Sequence, residues 1–288
     1  KLPLAVAGKL VYDYRDLTLY NLTQADNFGS LIQIDPEELK ALSIQKGSIW
    51  QGQEQKLKEQ AEYLSRQYHC VVTNPPYMGN KGMNSDLRRF VETYYPSGKE
   101  DLMTSFMIRC GDLIYINCSY AMINLPSWLF LISFEEQRKY LLKHFHIESM
   151  LHMGRGIFGI DFGSVAFVLT RNKSQSKGVY FRLHQRNFQH IYFQHIEQLF
   201  LRSKENPSFK YCFEDYRDEG GISEIPFQTD INGKQIYFHA NQEDFAKMPG
   251  SPIGYWVGVN TFNAFINNPS LETFAKARIG MMTTNNVR

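Results

Sequence analysis

The chain has 288 residues, 43% of them hydrophobic, and sets 31 Lys and Arg against 29 Asp and Glu for a formal net charge of +2. That length and apolar content bury a sizeable core and suit one or two domains, while the near-neutral charge excludes nucleic-acid binding by overall positive charge and confines any such contact to a local patch. Cys70, Cys110, Cys118 and Cys212 show no paired spacing, and His144 and His146 lie two apart, off a common helix face, so buried free thiols in a reducing cytosol are expected rather than disulfides or a metal centre.

In chain order, residues 36–67 are rich in Glu, Lys and Gln, with Leu57, Ala61, Leu64 and Tyr68 at helical spacing, and Gly47-Ser48 splits the stretch into two expected helices. The apolar run Cys70-Val71-Val72-Thr73 reads as a buried strand from His69 to Thr73. A helix feeding directly into a strand is the alternation of an open α/β sheet. The strand stops at Asn74-Pro75-Pro76-Tyr77. Two consecutive prolines remove two backbone donors and fix φ, so the chain there neither extends the strand nor starts an ordinary helical turn. A loop from Met78 to Asn84 leads to a helix with Leu87, Phe90, Val91 and Tyr94 on one face. Asp101 opens another, with Leu102, Phe106, Cys110 and Leu113 facing inwards.

Tyr120 to Leu125 is the next predicted strand, and Ser127 the predicted N-cap of a helix carrying Trp128, Leu131, Arg138 and Leu142. Ile147 to Met153 and Ser164 to Thr170 are strands joined by the Gly-rich turn Gly154-Arg155-Gly156-Ile157-Phe158-Gly159. So short a connection makes them antiparallel. Beyond Arg171 come a polar turn at residues 173–177, a strand from Val179 to Leu183 and an aromatic-rich stretch at residues 190–200. Residues 205–250 are mixed and turn-rich, with an Asn232-Gly233 hairpin signal. A boundary is expected near residue 205, dividing the chain into residues 1–205 and 206–288. No basic-then-apolar leader opens the sequence, and the longest apolar stretch, Tyr120 to Phe134, is interrupted by Asn124, Pro126 and Ser133. It is too short to span a bilayer, so a soluble, cytoplasmic protein without membrane contact is expected.

Asn-Pro-Pro-Tyr after a strand resembles the signature of methyltransferases that act on a planar amino or amide nitrogen, and the residue types suit that chemistry. The exocyclic nitrogen of adenine is a weak nucleophile because its lone pair is delocalised into the ring. Two acceptors aimed at its two N–H groups, the Asn74 side-chain oxygen and the Pro75 carbonyl, favour a more tetrahedral, electron-rich nitrogen, and such preorganised dipoles are where electrostatic catalysis gains most. Pro76 stiffens the bend, and Tyr77 would stack on the base for about 1–3 kcal/mol. Attack on a sulfonium methyl then needs mainly proximity and alignment, and a duplex must first release the base from its stack.

Val71 to Asn84 is similar to the catalytic loop of N6-adenine DNA methyltransferases, most of all the PglX type of phage-exclusion (BREX) systems and the related fused restriction-modification enzymes. Lys99-Glu100-Asp101-Leu102 with Phe106, Ile123 to Phe130 with Arg138, Gly154 to Ser164, Met248 to Trp256 and Gly280 to Asn286 follow in that family's order. The resemblance therefore covers roughly Phe28 to the end. It implies the C-terminal part of a Rossmann-like, S-adenosylmethionine-dependent methyltransferase sheet with a terminal antiparallel hairpin, plus a mixed extension leading into a DNA target-recognition domain.

By the same resemblance, Asn74 and Pro75 hold the target amino group and Tyr77 stacks on the flipped base. Phe158 adds an apolar contact from the hairpin, or else pins the turn. Phe106 lines the cofactor's adenine pocket with Asp101 nearby; by periodicity alone Phe106 is a helix core residue, and Asp101 also reads as a charge at a helix N-terminus. Lys81 and Arg155, with Arg88 and Arg89, flank the site and would hold DNA phosphates, which position a duplex without reading it; for Arg88 and Arg89 a solvated helix face fits equally. The implied partner is double-stranded DNA, with room for other defence-system proteins.

The family's Gly-rich turn after a first strand and acidic residue after a second are not visible before Asn74. The strands that carry them are expected to precede Lys1, and residues 1–288 alone are expected neither to bind the cofactor well nor to methylate DNA. Two other functions remain open at this point. One is the same chemistry on a protein amide or an RNA base. The other is a non-catalytic DNA-binding or assembly module of a defence complex.

Overall fold

The computed structural model describes residues 22–41, 51–155, 157, 163–172, 174, 176–185, 191–214, 216 and 229–276. Its helices are α1 (Pro36–Ala41), α2 (Gln51–Ser65), α3 (Ser85–Tyr94), α4 (Leu102–Asp112), α5 (Glu135–His144), α6 (Phe193–Glu205) and α7 (Val259–Asn267). The strands are β1 (Tyr68–Thr73), β2 (Ile114–Asn124), β3 (His146–Gly154), β4 (Ser164–Thr170), β5 (Gly178–Arg182), β6 (Lys210–Tyr211), β7 (Lys234–Gln235) and β8 (Tyr237–Ala240). Six of them form one mixed sheet in the order β1-β2-β4-β3-β5-β8, and β6 pairs with β7 apart from it. β1 and β2 are parallel, as are β3 and β5, while β4 runs antiparallel to both neighbours and β8 antiparallel to β5. The expected hairpin is thus present as β3 and β4.

Alternation along these strands sends Tyr120, Met122, Met150, Val165, Phe167 and Leu169 to one face, where they meet Met103, Met107 and Cys110 of α4 and Leu141 of α5 in the main core. The other side of α4 contributes Leu102 and Ile108 to a second core with Leu57 and Ala61 of α2 and Leu87, Phe90 and Val91 of α3. Serving two cores makes α4 apolar nearly all round, as a buried helix must be. Its Arg109 is buried and donates to the carbonyls of Ser30 (3.0 Å), Ile32 (2.9 Å) and Leu64 (2.6 Å), tying the segment before α1 and the end of α2 to the sheet.

Several expectations need correction. The strand before Asn74 is an edge strand: among the described residues β1 pairs only with β2, Cys70 is exposed and Val72 is 73% exposed. α6 covers the second face of the sheet over β3 and β5 through Ile196 and Leu199, and nothing described covers it over β1. Among the cysteines only Cys110 is buried, although all four are free; burial pushes its thiol pKa up to about 12.

Ser127 caps no long helix. Residues 126–134 form two 3-10 turns, and α5 begins only at Glu135. The reason is Arg138, whose buried guanidinium takes the carbonyls of Trp128 (2.9 Å) and Leu131 (2.6 Å), which a continuous α-helix would need for itself. Asn232-Gly233 does lie in a turn, closed by Gly233 N–H to the Asp230 carbonyl (3.0 Å), but it leads into β7, whose partner is the distant β6 rather than an adjacent strand.

The same Arg138 donates to Gly250 O (2.7 Å from Nη2) and Ser251 O (3.1 Å from Nε), so that Met248, Ile253, Tyr255 and Phe262 enter the main core. Gly250 sits at φ +76°, a left-handed conformation that glycine adopts without strain. Together with β8, this stretch makes residues 237–262 part of the same packed body as the sheet.

Candidate active site

The site is built at the carboxyl ends of β1 and β2. The backbone leaves the sheet at Asn74, Pro75 is buried beneath the bend, and Pro76 and Tyr77 face solvent. Asn74 is exposed as well, and its partner is local: the Tyr77 hydroxyl donates to Asn74 Oδ1 at 2.6 Å and reaches the Ile123 carbonyl at the end of β2 at 3.2 Å. Asn74 is thus neither buried nor without a partner from its own loop. The hydroxyl reaches back to Asn74 from three residues further along the chain. Desolvation raises the Tyr77 pKa, which keeps the hydroxyl an O–H donor at neutral pH.

Every segment of the following loop is fastened. Asp101 is 8% exposed; its Oδ1 accepts from Met103 N–H (3.0 Å), capping α4, and from Met78 N–H (3.2 Å), immediately after Tyr77. Leu102 N–H donates to Met78 O (3.0 Å) and Asn80 N–H to Glu100 O (2.9 Å), so the loop and the entry to α4 run antiparallel to each other. Burial is the main cause of a raised Asp101 pKa, offset in part by the bonds from Met103 and Met78. Arg88 of α3 donates to Asn80 O (3.0 Å), and Asn84 caps α3 by accepting from Leu87 N–H (2.9 Å).

Beside Asn74 the bare part of the sheet face forms a hollow of about 510 Å³, walled by Val72, Thr73, Ala121, Ile123, Leu151 and Val168 among others. Among the described residues its walls are mainly apolar and hold no carboxylate. The fold thus brings together Asn74, Pro75, Pro76, Tyr77 and Asp101. Lys81 is exposed in the same loop. Arg155 is half-buried just after β3, at the start of the hairpin turn, and Phe158 lies outside the described residues. Phe106 is partly buried, packed between the two cores that α4 serves.

Asn84 and Arg88 escaped notice as loop anchors, although Asn84 stands just before the first apolar position of α3, which is itself a cap signal. Ile123 could not have been found, because its role rests on a main-chain carbonyl. A buried cluster also lies at the carboxyl end of β3, level with the end of β2, where His152 Nδ1 lies 3.1 Å from the Tyr255 hydroxyl and its ring 4.3 Å edge-on from that of His184. Burial, then the charges of His184 and Arg182, hold His152 well below the usual histidine pKa. Among the described residues no group of three or more His, Cys, Asp and Glu is placed to hold a metal ion, and no helix is long and apolar enough to cross a membrane.

The Eco57I restriction-modification methylase family matches residues 12–158, just over half of the chain. Over 276 residues the chain is 33% identical to the adenine-specific methyltransferase BrxX of Escherichia coli O9:H4 (strain HS), covering 90% of this chain and 20% of that protein. Over 229 residues it is 34% identical to the adenine-specific methyltransferase PglX of Lacticaseibacillus casei (strain Zhang), covering 77% of this chain and 17% of that one. The chain therefore spans about a fifth of the length of these curated relatives. Among solved structures, the M protein of the type I restriction enzyme EcoKI superposes with a TM-score of 0.42 at 13% identity, covering 65% of this chain and 43% of that one. Strand order, direction and the terminal hairpin are those of the C-terminal part of a Rossmann-like methyltransferase sheet. On the match across residues 12–158, with the Asn74 to Tyr77 bend and its fastened loop inside it, the chain belongs to the Eco57I restriction-modification methylase family.

Proposed function

We propose that the chain carries the target-base side of an adenine-N6 DNA methyltransferase that works in phage defence, of the BREX or restriction-modification kind. The observation that carries this reading is the Asn74 amide oxygen, exposed at the end of β1 beside an apolar hollow, on a loop that Asp101, Asn84 and Arg88 hold still. Asn74 Oδ1 and the Pro75 carbonyl accept the two N–H groups of a flipped adenine and direct its lone pair outwards. The Tyr77 ring stacks on the purine, and Lys81, exposed in the same loop, and Arg155, just after β3, hold backbone phosphates. Residues 206–288 lead towards the part that reads the DNA sequence.

S-adenosylmethionine would supply the methyl group. The residues here fit only one side of it. The apolar walls of the hollow suit its methylthio region, but no carboxylate lines them to take the ribose hydroxyls. Residues 1–288 alone therefore bind it weakly, and submicromolar binding of the cofactor to this segment by titration calorimetry would contradict that.

The decisive test is transfer of labelled methyl groups to unmethylated plasmid DNA by the intact protein and its Asn74→Ala variant. Loss of one preorganised acceptor should lower the rate by about 10²-fold or more. An Asn74→Ala protein that still methylates adenine at the normal rate would sink the proposal.

A further inference from the structure

The contact between Tyr77 and Asn74 has the wrong partners for a site ready to receive a base. Asn74 Oδ1, the atom assigned above to an adenine N–H, already has a donor 2.6 Å away. A carboxamide oxygen has two lone pairs, so this bond alone does not exhaust it. The second contact matters more: the same hydroxyl lies 3.2 Å from the Ile123 carbonyl, so the phenol bridges the ends of β1 and β2 at the mouth of the hollow. Held by two acceptors at its hydroxyl, the Tyr77 ring is tethered to the ends of both strands rather than free to settle on a base.

We infer that Tyr77 is a gate as well as a stacking residue: in the empty site its hydroxyl stands in for one N–H of the target amino group and must leave Asn74 before the base is held. The inference rests on the function proposed above. Only the side chain has to move. The backbone on its carboxyl side is pinned by Met78 N–H to Asp101 and by Leu102 N–H to Met78 O, and on its amino side the two prolines fix φ. The ring is 37% exposed, which leaves it room to rotate towards solvent. Opening exchanges one neutral donor on Asn74 for another, so the gate lowers the affinity for the extruded base by about fivefold, the worth of one net hydrogen bond.

The test uses the intact protein. Sequencing of methylated plasmid DNA locates the modified adenine, and a duplex oligonucleotide that keeps this adenine and carries 2-aminopurine at the adjoining base reports extrusion by its fluorescence. Tyr77→Phe keeps the ring and removes the hydroxyl. It should bind this duplex about fivefold more tightly and lower KM for DNA by a similar factor. Tyr77→Ala removes the stack as well and should bind at least fivefold more weakly than Tyr77→Phe. Equal or weaker binding by Tyr77→Phe would overturn the inference, since the hydroxyl would then be steadying Asn74 rather than guarding it. Should Asn74→Ala retain full transfer, it is the functional reading that fails. Loss of transfer in Asn74→Ala without any gain in Tyr77→Phe removes the gate alone.

Discussion

Replacing Asp101 separates two roles that its position allows. One is to fasten the Asn74–Tyr77 loop; the other, implied by family resemblance, is to sit beside the cofactor. Two backbone donors, Met103 N–H and Met78 N–H, end on its Oδ1 in a site only 8% exposed. Loss of a cap acceptor costs about 1 kcal/mol, and a buried N–H left without a partner costs about 1–3 kcal/mol. Asp101→Ala should therefore destabilise the protein by about 2–4 kcal/mol, a fall in Tm of about 4–16 °C for a chain of this size.

Asp101→Asn keeps an acceptor in place and removes the charge. Because the folded-state pKa lies above the unfolded value of 3.8, the carboxyl's contribution is fully present below that pH and is lost as pH rises through the folded pKa. At neutral pH the buried carboxylate is thus a cost that Asn avoids. Asp101→Asn should stay within about 1 kcal/mol of the parent at pH 7 and should lose the acid-side rise in stability. Thermal melts of the three proteins between pH 4 and 8 check both points. If Asp101→Asn melts as early as Asp101→Ala, the fastening argument is wrong. If it melts normally but no longer binds S-adenosylmethionine in the intact protein, the carboxylate is a cofactor contact.

Arg138→Ala leaves the carbonyls of Trp128, Leu131, Gly250 and Ser251 without their donor. A loss of at least about 3 kcal/mol is expected, since each buried carbonyl left without a donor costs about 1–3 kcal/mol, with new protease cleavage near residue 250; urea unfolding that shifts by less than 1 kcal/mol would count against the clamp. His152 is held neutral in the fold, its pKa below the unfolded value of 6.5. Its contribution is present above that pH and is lost as pH falls towards the folded pKa, by up to about 1.4 kcal/mol per pH unit. His152→Gln should flatten the decline in stability below pH 6.5, and an unchanged slope would show that another group causes it.

Much of the framework was legible from local pattern. The alternation in Ser164–Thr170 and the short Gly-rich connection before it specify the β3–β4 hairpin, and the apolar positions of α3 fall where their spacing puts them, whereas α4 is buried on both sides through Met103, Met107 and Ile108 as well. The bend at Asn74 was readable because two prolines act on the backbone whatever surrounds them. Other features depend on what packs where. Val71-Val72 has the composition of a buried strand, yet exposure is decided by the neighbours of β1, which its own residues do not encode. The delayed start of α5 depends on a side chain ten residues beyond Trp128 claiming its carbonyl. The pairing of β8 with β5, and the bond from Tyr77 to Ile123, join residues 46 or more apart in sequence, beyond any local signal.

The unpaired margin of β1 has a practical side. Among the described residues one side of β1 pairs with no strand, and with Val72 in the open beside an apolar trough it is a template on which a second extended chain can add itself. The chain carries no proline within that strand and no lysine to repel such an addition. Solutions of residues 1–288 by themselves are therefore expected to scatter light increasingly with concentration, and the colloidal behaviour of this piece is governed by six residues at one rim of its sheet rather than by its net charge.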